Sequence, residues 1–151
     1  MQSLIQLLAA GIGSLGYALL FNVRGRDVPW ATLGGLISWG TYLLSSIFSS
    51  SDMLRYFICA FFLTVYAEIM ARLRKSPTTV FLVAGAIPLI PGAGLYRAMC
   101  AAVSGAWDQA VAGGKTTLLL AAAISGGILS CTALWHIVSR FSAFHRRGNQ
   151  R

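Results

Sequence analysis

Five long apolar stretches dominate the chain and restrict its fold to a bundle of membrane-embedded helices. A helix needs about 20 mostly apolar residues to cross the hydrocarbon core of a bilayer. The candidate spans are residues 3–21, 30–48, 54–70, 79–99 and 116–138. Only 11% of the 151 residues are charged, whereas soluble domains contain about 25%. The sequence therefore predicts an all-α polytopic membrane protein with five transmembrane helices.

The connections between these stretches are short, so we expect one transmembrane domain over residues 1–143 and a basic cytoplasmic tail over residues 144–151. Residues 101–112, between the fourth and fifth stretches, are too polar and too short for another crossing. We expect them to form a short interfacial helix with Trp107 at headgroup depth. The N-terminus lacks the positive region of a signal peptide, so the first span is expected to be retained.

The basic residues predict the orientation, because cytoplasmic loops are enriched in Lys and Arg. With five spans, three basic groups fall on one side, namely Arg24 with Arg26, Arg72 with Arg74 and Lys75, and the arginines at 140–151. The N-terminus is then outside and the C-terminus cytoplasmic. A fourth stretch that only dipped into the bilayer would move the C-terminal arginines outside. Because topology explains the net charge of +8, we expect no nucleic-acid partner.

The fourth stretch contains two prolines three residues apart, Pro88 and Pro91. Because proline has no N–H, Pro88 cannot donate to the carbonyl of Ala84, and Pro91 cannot donate to that of Ile87. A bilayer core has no water for such carbonyls, so a break there needs a cavity lined by protein or water. Interrupted helices often form the substrate sites of secondary transporters. We expect a break at mid-membrane, with both carbonyls left unpaired to bind an ammonium group or a cation.

Gly92 and Gly94 follow the second proline, and Tyr96 and Arg97 come soon after them. A guanidinium group can hold a carboxylate through paired hydrogen bonds, and Tyr96 offers a hydroxyl. We therefore place these residues with the prolines in a substrate-binding region. Two alternatives remain open: a proline kink supported by neighbouring helices, and an Arg97 side chain that extends to the outer headgroups.

The acidic residues are few, and one of them, Glu68, falls within a predicted span. It lies four residues before Arg72, a spacing that allows an ion pair on one helix face at the cytoplasmic rim. The alternative is a proton-accepting carboxylate that couples transport to an ion gradient. Asp27 is expected to neutralise nearby arginines. The sequence contains no catalytic pair and no metal-ligand spacing, so we expect no enzyme activity, cofactor or metal.

Small residues recur every four positions in three of the spans, at Ala9 and Gly13, at Gly34 and Ser38, and at Ala122, Gly126 and Ser130. This spacing lets membrane helices approach closely, either within the subunit or against a partner such as a second copy of the chain. The three cysteines, Cys59, Cys100 and Cys131, lie far apart in apolar surroundings. We expect them to be buried free thiols.

Residues 72–99 resemble the C-terminal module of the bacterial threonine/serine exporter family. The likeness rests on Arg-Leu-Arg-Lys-Ser-Pro-Thr-Thr-Val-Phe-Leu-Val and on Ile-Pro-Leu-Ile-Pro-Gly-Ala-Gly-Leu-Tyr-Arg-Ala-Met. The five-span pattern extends it to the whole chain, whose length is similar to that of the small subunit of the split form. The positions that match the motif are Pro77, Thr79, Pro88, Pro91, Gly92, Tyr96 and Arg97. Ala93 departs from it, since many relatives have glycine there.

The resemblance implies a subunit of an exporter in the bacterial cytoplasmic membrane that works with a larger five-span partner. It implies export of small amino acids, or of small dicarboxylates such as succinate, driven by an ion gradient. The competing hypothesis is a non-transporting subunit that scaffolds or stabilises the partner. A scaffold has no need of the proline–glycine break, so the sequence favours the transporting role.

Overall fold

The computed structural model describes residues 2–48 and 50–148, with side chains through residue 137. This part of the chain is helical and contains no strand. The helices are α1 (Gln2–Leu20), α2 (Val28–Phe48), α3 (Asp52–Arg74), α4 (Thr78–Ala86), α5 (Gly92–Val103) and α6 (Trp107–Gly148), with a single 3-10 turn over Ile87–Leu89. The prediction of an all-α fold is confirmed. The side chains of the predicted basic tail, residues 144–151, lie outside the described ones.

Four helices, α1, α2, α3 and α6, are each long and apolar enough to cross a membrane. The fourth predicted span corresponds to two shorter segments, α4 with its 3-10 turn and α5, which meet at a bend of 53°. Together these two segments are also long and apolar enough for one crossing. The fold is therefore that of a polytopic membrane protein with four or five membrane-spanning segments.

The predicted interfacial helix over residues 101–112 is wrong. The chain turns between α5 and α6 at Gly105, whose φ of +80° is readily available only to glycine. Helix α6 then begins at Trp107 and continues for 42 residues. The polar residues after Trp107 stay helical because this part of α6 packs on α5. A Cβ at Gly113 would lie only 3.3 Å from the Cβ of Ala98.

The centre of the bundle is the crossing of α1, α2 and α4, where small residues allow close contact. A Cβ at Gly85 of α4 would lie 3.1 Å from the carbonyl carbon of Gly34 in α2. Ser38, one turn further along α2, donates a hydrogen bond of 2.8 Å to the carbonyl of Gly85. The spacing of Gly34 and Ser38 thus correctly predicted a tight helix contact, and the partner is α4 of the same chain.

Helices α3 and α6 pack side by side and run in the same direction. A Cβ at Gly127 of α6 would lie 2.5 Å from the carbonyl oxygen of Phe57, in the first half of α3. Further along both helices, the guanidinium of Arg72 lies 4.4 Å from the ring centroid of Trp135. The ends of α3 and of the described part of α6 therefore lie at the same end of the bundle.

That end also holds the α1–α2 loop and the turn before α4. Arg74 donates from Nε to a carboxylate oxygen of Asp27 at 2.9 Å, and Ser76 donates to the other oxygen at 2.6 Å. The expectation that Asp27 neutralises nearby arginines is confirmed in part, because its hydrogen-bonded partner is an arginine distant in sequence, Arg74. The hydrogen bond from Ser76 is the main reason that the pKa of Asp27 is lowered, with Arg74 adding to the effect despite the burial of the carboxylate. Two of the three basic groups are thus brought together.

Candidate functional site

The backbone between α4 and α5 is a short irregular segment with its own hydrogen bonds. The Ile90 N–H donates to the carbonyl of Ile87 at 3.3 Å, and the Gly92 N–H donates to that of Ile90 at 2.7 Å. The prediction of an unpaired Ile87 carbonyl is therefore wrong. In an α-helix the Ile87 carbonyl would accept from residue 91, but Pro91 has no N–H. The Ile90 N–H donates to it instead, because the chain tightens into a 3-10 turn.

Ala84 lies on the core side of α4 and is fully buried. It packs in one apolar cluster with Phe81, Ala67 and Ala18. Ile87 instead lines a small apolar cavity of about 310 Å³ against α1, beside Gly13. Ala84 therefore lies apart from the rest of the predicted substrate-binding region, whereas Ile87 lines its cavity together with Pro88.

A larger cavity, of about 610 Å³, lies beside the break on the side of α6. The residues of the break that line it include Pro88, Pro91, Gly92, Gly94 and Arg97. Its volume is within the range of about 300–1,000 Å³ that is typical of small-molecule sites. Five predicted site residues thus surround one space, which we call the break cavity.

The opposite walls of the break cavity come from three other helices and were not predicted. Thr116 and Thr117 of α6 line it together with Trp39 of α2 and Tyr56 of α3. Tyr42 joins the two aromatic residues, because its ring centroid lies 5.0 Å from that of Trp39 and 5.2 Å from that of Tyr56. The threonine pair at the start of an apolar stretch was the one sequence signal that could have indicated these walls.

Helix α5 lies directly on α6 where the two threonines face the cavity. A Cβ at Gly94 would lie 2.8 Å from the hydroxyl oxygen of Thr117. Each threonine hydroxyl donates to a carbonyl of its own helix, at 3.0 Å from Thr116 to Ala112 and at 2.8 Å from Thr117 to Gly113. The hydroxyl oxygens keep lone pairs that can accept a hydrogen bond from a ligand.

Arg97 is the cationic side chain of the break cavity. Its Nε donates to the carbonyl of Ala93 at 3.2 Å, and among the described residues no oxygen binds its two terminal nitrogens. These nitrogens are the pair that grips a carboxylate. Tyr96, in contrast, is 69% exposed and does not line the cavity. The structure thus places Arg97, but not Tyr96, where the predicted substrate-binding region requires it.

Comparison with known families identifies the family of the chain. The family model described as threonine/serine exporter, ThrE, matches residues 6–134, which include most of α1, all of α2 to α5 and most of α6. The chain belongs to the threonine/serine exporter family. The family is one of membrane exporters rather than of enzymes, and the apolar helices make this chain a multi-pass membrane protein. No solved structure matches the chain.

Glu68 of the exporter forms the expected ion pair, with its Oε2 at 2.6 Å from Nη1 of Arg72. The Glu68 side chain is only 15% exposed, while that of Arg72 is 51% exposed. Arg72 also lies over the ring of Trp135, so the pair is held between α3 and α6. Glu68 does not line the break cavity. The structure therefore supports the ion-pair interpretation without linking Glu68 to the predicted substrate-binding region.

The cysteines of the exporter differ in their surroundings. Cys59 and Cys131 are buried free thiols, as expected, but Cys100 is exposed. Cys100 lies on α5, of which only Ala98 is buried. The incorrect prediction for Cys100 thus reflects how little of α5 the other helices cover.

Proposed function

We propose that this protein is the small subunit of a two-component exporter of threonine, serine or small dicarboxylates such as succinate, and that the solute passes through the break cavity. A larger five-span subunit would supply the rest of the pathway, in a bacterial cytoplasmic membrane. The observation that carries the proposal is the break cavity itself. It joins an interrupted helix, a cation with unbound nitrogens and two hydroxyl groups in one space.

The polar groups of this cavity match a small zwitterion. The terminal nitrogens of Arg97 would hold the carboxylate through paired charge-assisted hydrogen bonds. The hydroxyl oxygens of Thr116 and Thr117 would accept from the ammonium group, a role that sequence reasoning had given to the carbonyls of Ala84 and Ile87. The rings of Trp39 and Tyr56 would enclose the solute. A dicarboxylate would bind Arg97 through one carboxylate in the same way. Its second carboxylate would face Thr116 and Thr117, whose hydroxyls would then donate to it instead of to their own helix.

The geometry supports a fourth segment that crosses the membrane rather than dipping into it. Helix α4 starts at the basic end of the bundle, and α6 runs toward that end beside α3. The chain must therefore reach the opposite end between Thr78 and Trp107. At standard helix rises, α4 with its turn and α5 together span roughly 34 Å across their bend, similar to the hydrocarbon thickness of about 30 Å. The length of this segment favours five spans, with the N-terminus outside and the C-terminus cytoplasmic.

Ion-gradient coupling and the larger partner belong to the proposal as well. Glu68 is the acidic residue furthest from a helix end, since Asp52 and Asp108 lie in first helical turns and Asp27 in a loop. It remains our candidate for ion coupling. Helix α6 leaves Leu118, Leu129 and Leu134 exposed, a surface suited to lipid or to the larger subunit.

The test is solute efflux from cells that express the chain alone, the larger subunit alone, or both. We expect export only with both, and we expect Arg97→Ala to abolish it while the protein level in the membrane stays normal. Lys115→Ala is the matched control, because Lys115 is a cation near Thr116 that does not line the break cavity. Full export by the larger subunit alone would establish the scaffold alternative. Unchanged efflux in Arg97→Ala would remove Arg97 from the mechanism.

A further inference from the structure

A separate cavity of about 360 Å³ lies at the basic end of the bundle, between the α1–α2 loop and the turn that precedes α4. The loop contributes Arg24 and Arg26, and the end of α3 contributes Arg74 and Lys75. The break cavity shares no lining residue with it. We call this second space the basic cavity.

The walls of the basic cavity are fixed by hydrogen bonds that do not need a ligand. Asp27 is only 4% exposed and accepts from Arg74 at 2.9 Å and from Ser76 at 2.6 Å. Nη2 of Arg74 also donates to the backbone carbonyl of Arg26 at 2.7 Å. These bonds tie the loop to the end of α3. The backbone segments that carry the other cationic residues are therefore positioned in advance, which reduces the ordering cost of binding.

The charge of the basic cavity is unbalanced. Four cationic side chains and the single carboxylate of Asp27 give its lining a formal charge of +3. The other acidic residues of the chain lie elsewhere, two of them, Asp52 and Glu68, paired with Arg55 and Arg72. Because the pKa of Asp27 is lowered, chiefly by the hydrogen bond from Ser76, its charge is already counted at neutral pH. The lining of the basic cavity therefore carries an excess positive charge that an anion from outside the chain can neutralise.

One of the residues that line the basic cavity is apolar, and this feature indicates the kind of anion. Leu73 lines the cavity and is 70% exposed on the last turn of α3. A free anion gains nothing from such a side chain, whereas the glycerol backbone and first methylenes of a lipid would pack on it. We propose that the basic cavity binds the phosphate group of an anionic phospholipid headgroup. The proposal does not depend on solute export.

The test uses the purified protein in a neutral detergent. Its affinity is measured by native mass spectrometry and thermal shift for dihexanoyl phosphatidylglycerol, for the zwitterionic dihexanoyl phosphatidylcholine and for sodium phosphate. The variants are Arg26→Gln and Lys75→Gln, which remove one charge each and leave the Asp27 hydrogen bonds in place. Lys115→Gln is the matched control at a cation outside the basic cavity. The thermal midpoint without ligand shows whether each variant is folded.

We expect phosphatidylglycerol to bind most tightly and to raise the thermal midpoint. Arg26→Gln and Lys75→Gln should each weaken it about fivefold, and Lys115→Gln should leave it unchanged. Equal affinity in all variants, or equal affinity for the two lipids, would overturn the proposal. Sodium phosphate that binds as tightly as phosphatidylglycerol, and is lost in the same variants, would retain a phosphate site but overturn the lipid as its source.

Discussion

Helices α4 and α5 form the two halves of one interrupted apolar segment, yet they are held very differently. Phe81, Ala84 and Gly85 of α4 are buried, and α4 touches α1, α2 and α3. Only Ala98 of α5 is buried, and that helix rests mainly on α6. The break at residues 87–91 thus joins α4, the half fixed by contacts with three helices, to α5, the half held mainly by one helix.

This contrast explains why the break cavity lies where it does. Three neighbouring helices fill the space around α4. Helix α5 rests mainly on α6, so space remains beside its other faces. The Pro–Pro–Gly sequence releases α5 from the direction of α4, and the 53° bend carries it away from α2 and α3. The uncovered space between them is the one that Arg97, Thr116 and Thr117 line.

The largest expected effect tests whether α4 is truly the fixed half. Gly85→Val would place side-chain atoms within 2.4 Å of Cδ1 of Leu63 and 3.1 Å of the Gly34 backbone. We expect a loss of about 3 kcal/mol or more in the free energy of unfolding, measured by thermal unfolding in detergent. Gly114→Ala in α6 is the control, because its Cβ meets nothing within 4 Å. Equal stability of the two variants would refute the tight contact between α2 and α4.

The next effect tests the attachment of α5 to α6. In a background with the native cysteines replaced, Gly94→Cys with Thr117→Cys should form a disulfide, because the two Cβ positions lie 3.9 Å apart, within the usual range. The cross-link should stabilise the protein by about 2–3 kcal/mol. Gly92→Cys with Thr117→Cys is the control, since a Cβ at Gly92 meets nothing within 4 Å. Similar cross-linking yields on non-reducing gels would show that α5 does not sit on α6 as described.

The hydrogen bonds that Asp27 accepts before the start of α4 should contribute somewhat less to the free energy of unfolding. Asp27→Asn removes the charge that Arg74 and Ser76 bind, at an expected cost of about 2 kcal/mol. Because the folded pKa of Asp27 lies below the usual value of 3.8 for an aspartate, the stabilisation is fully present above pH 3.8. It is lost as the pH falls through the lowered pKa. Thermal midpoints of wild type and variant should therefore differ by a constant amount above pH 5 and converge in stronger acid; parallel curves throughout would contradict this role.

The smallest expected effect compares two hydroxyl groups: that of Ser38 in α2, which binds α4, and that of Thr117 in α6, which lies against α5. Ser38→Ala removes the hydrogen bond from α2 to the Gly85 carbonyl of α4, and the expected cost is about 0.6 kcal/mol, the average for such bonds in a membrane. Thr117→Ala removes a bond within α6 and the close approach of the hydroxyl to Gly94 of α5, so we expect a smaller loss of stability than in Ser38→Ala. The measurement is again thermal unfolding. A larger loss in Thr117→Ala would mean that α5 is held more firmly than its contacts indicate.

Local chemistry made part of this structure predictable. The break follows from proline and glycine, which act on their own backbone, and the Glu68–Arg72 ion pair follows from helix geometry. The Gly34–Ser38 spacing indicated a close helix contact, although not its partner. Each of these features depends on residues within one helical turn of each other. The sequence needed no tertiary information to indicate them.

The remaining walls of the break cavity could not be predicted, because they depend on which helices meet. Trp39 and Tyr56 read as ordinary span residues until α2 and α3 are placed beside the break. The Ile87 carbonyl was misjudged because the chain tightened into a 3-10 turn rather than leaving an α-helical gap. The interfacial helix was misjudged because Gly105 turns the chain earlier than expected and packing on α5 extends α6.

The length of α6 has a geometric consequence. At about 1.5 Å per residue, its 42 residues form a rod of roughly 63 Å, about twice the thickness of the hydrocarbon core. Trp135 of this rod lies against Arg72 in the last turn of α3, and the helix continues to Gly148. The last 13 residues, roughly 20 Å of helix, therefore extend past the basic end of the bundle.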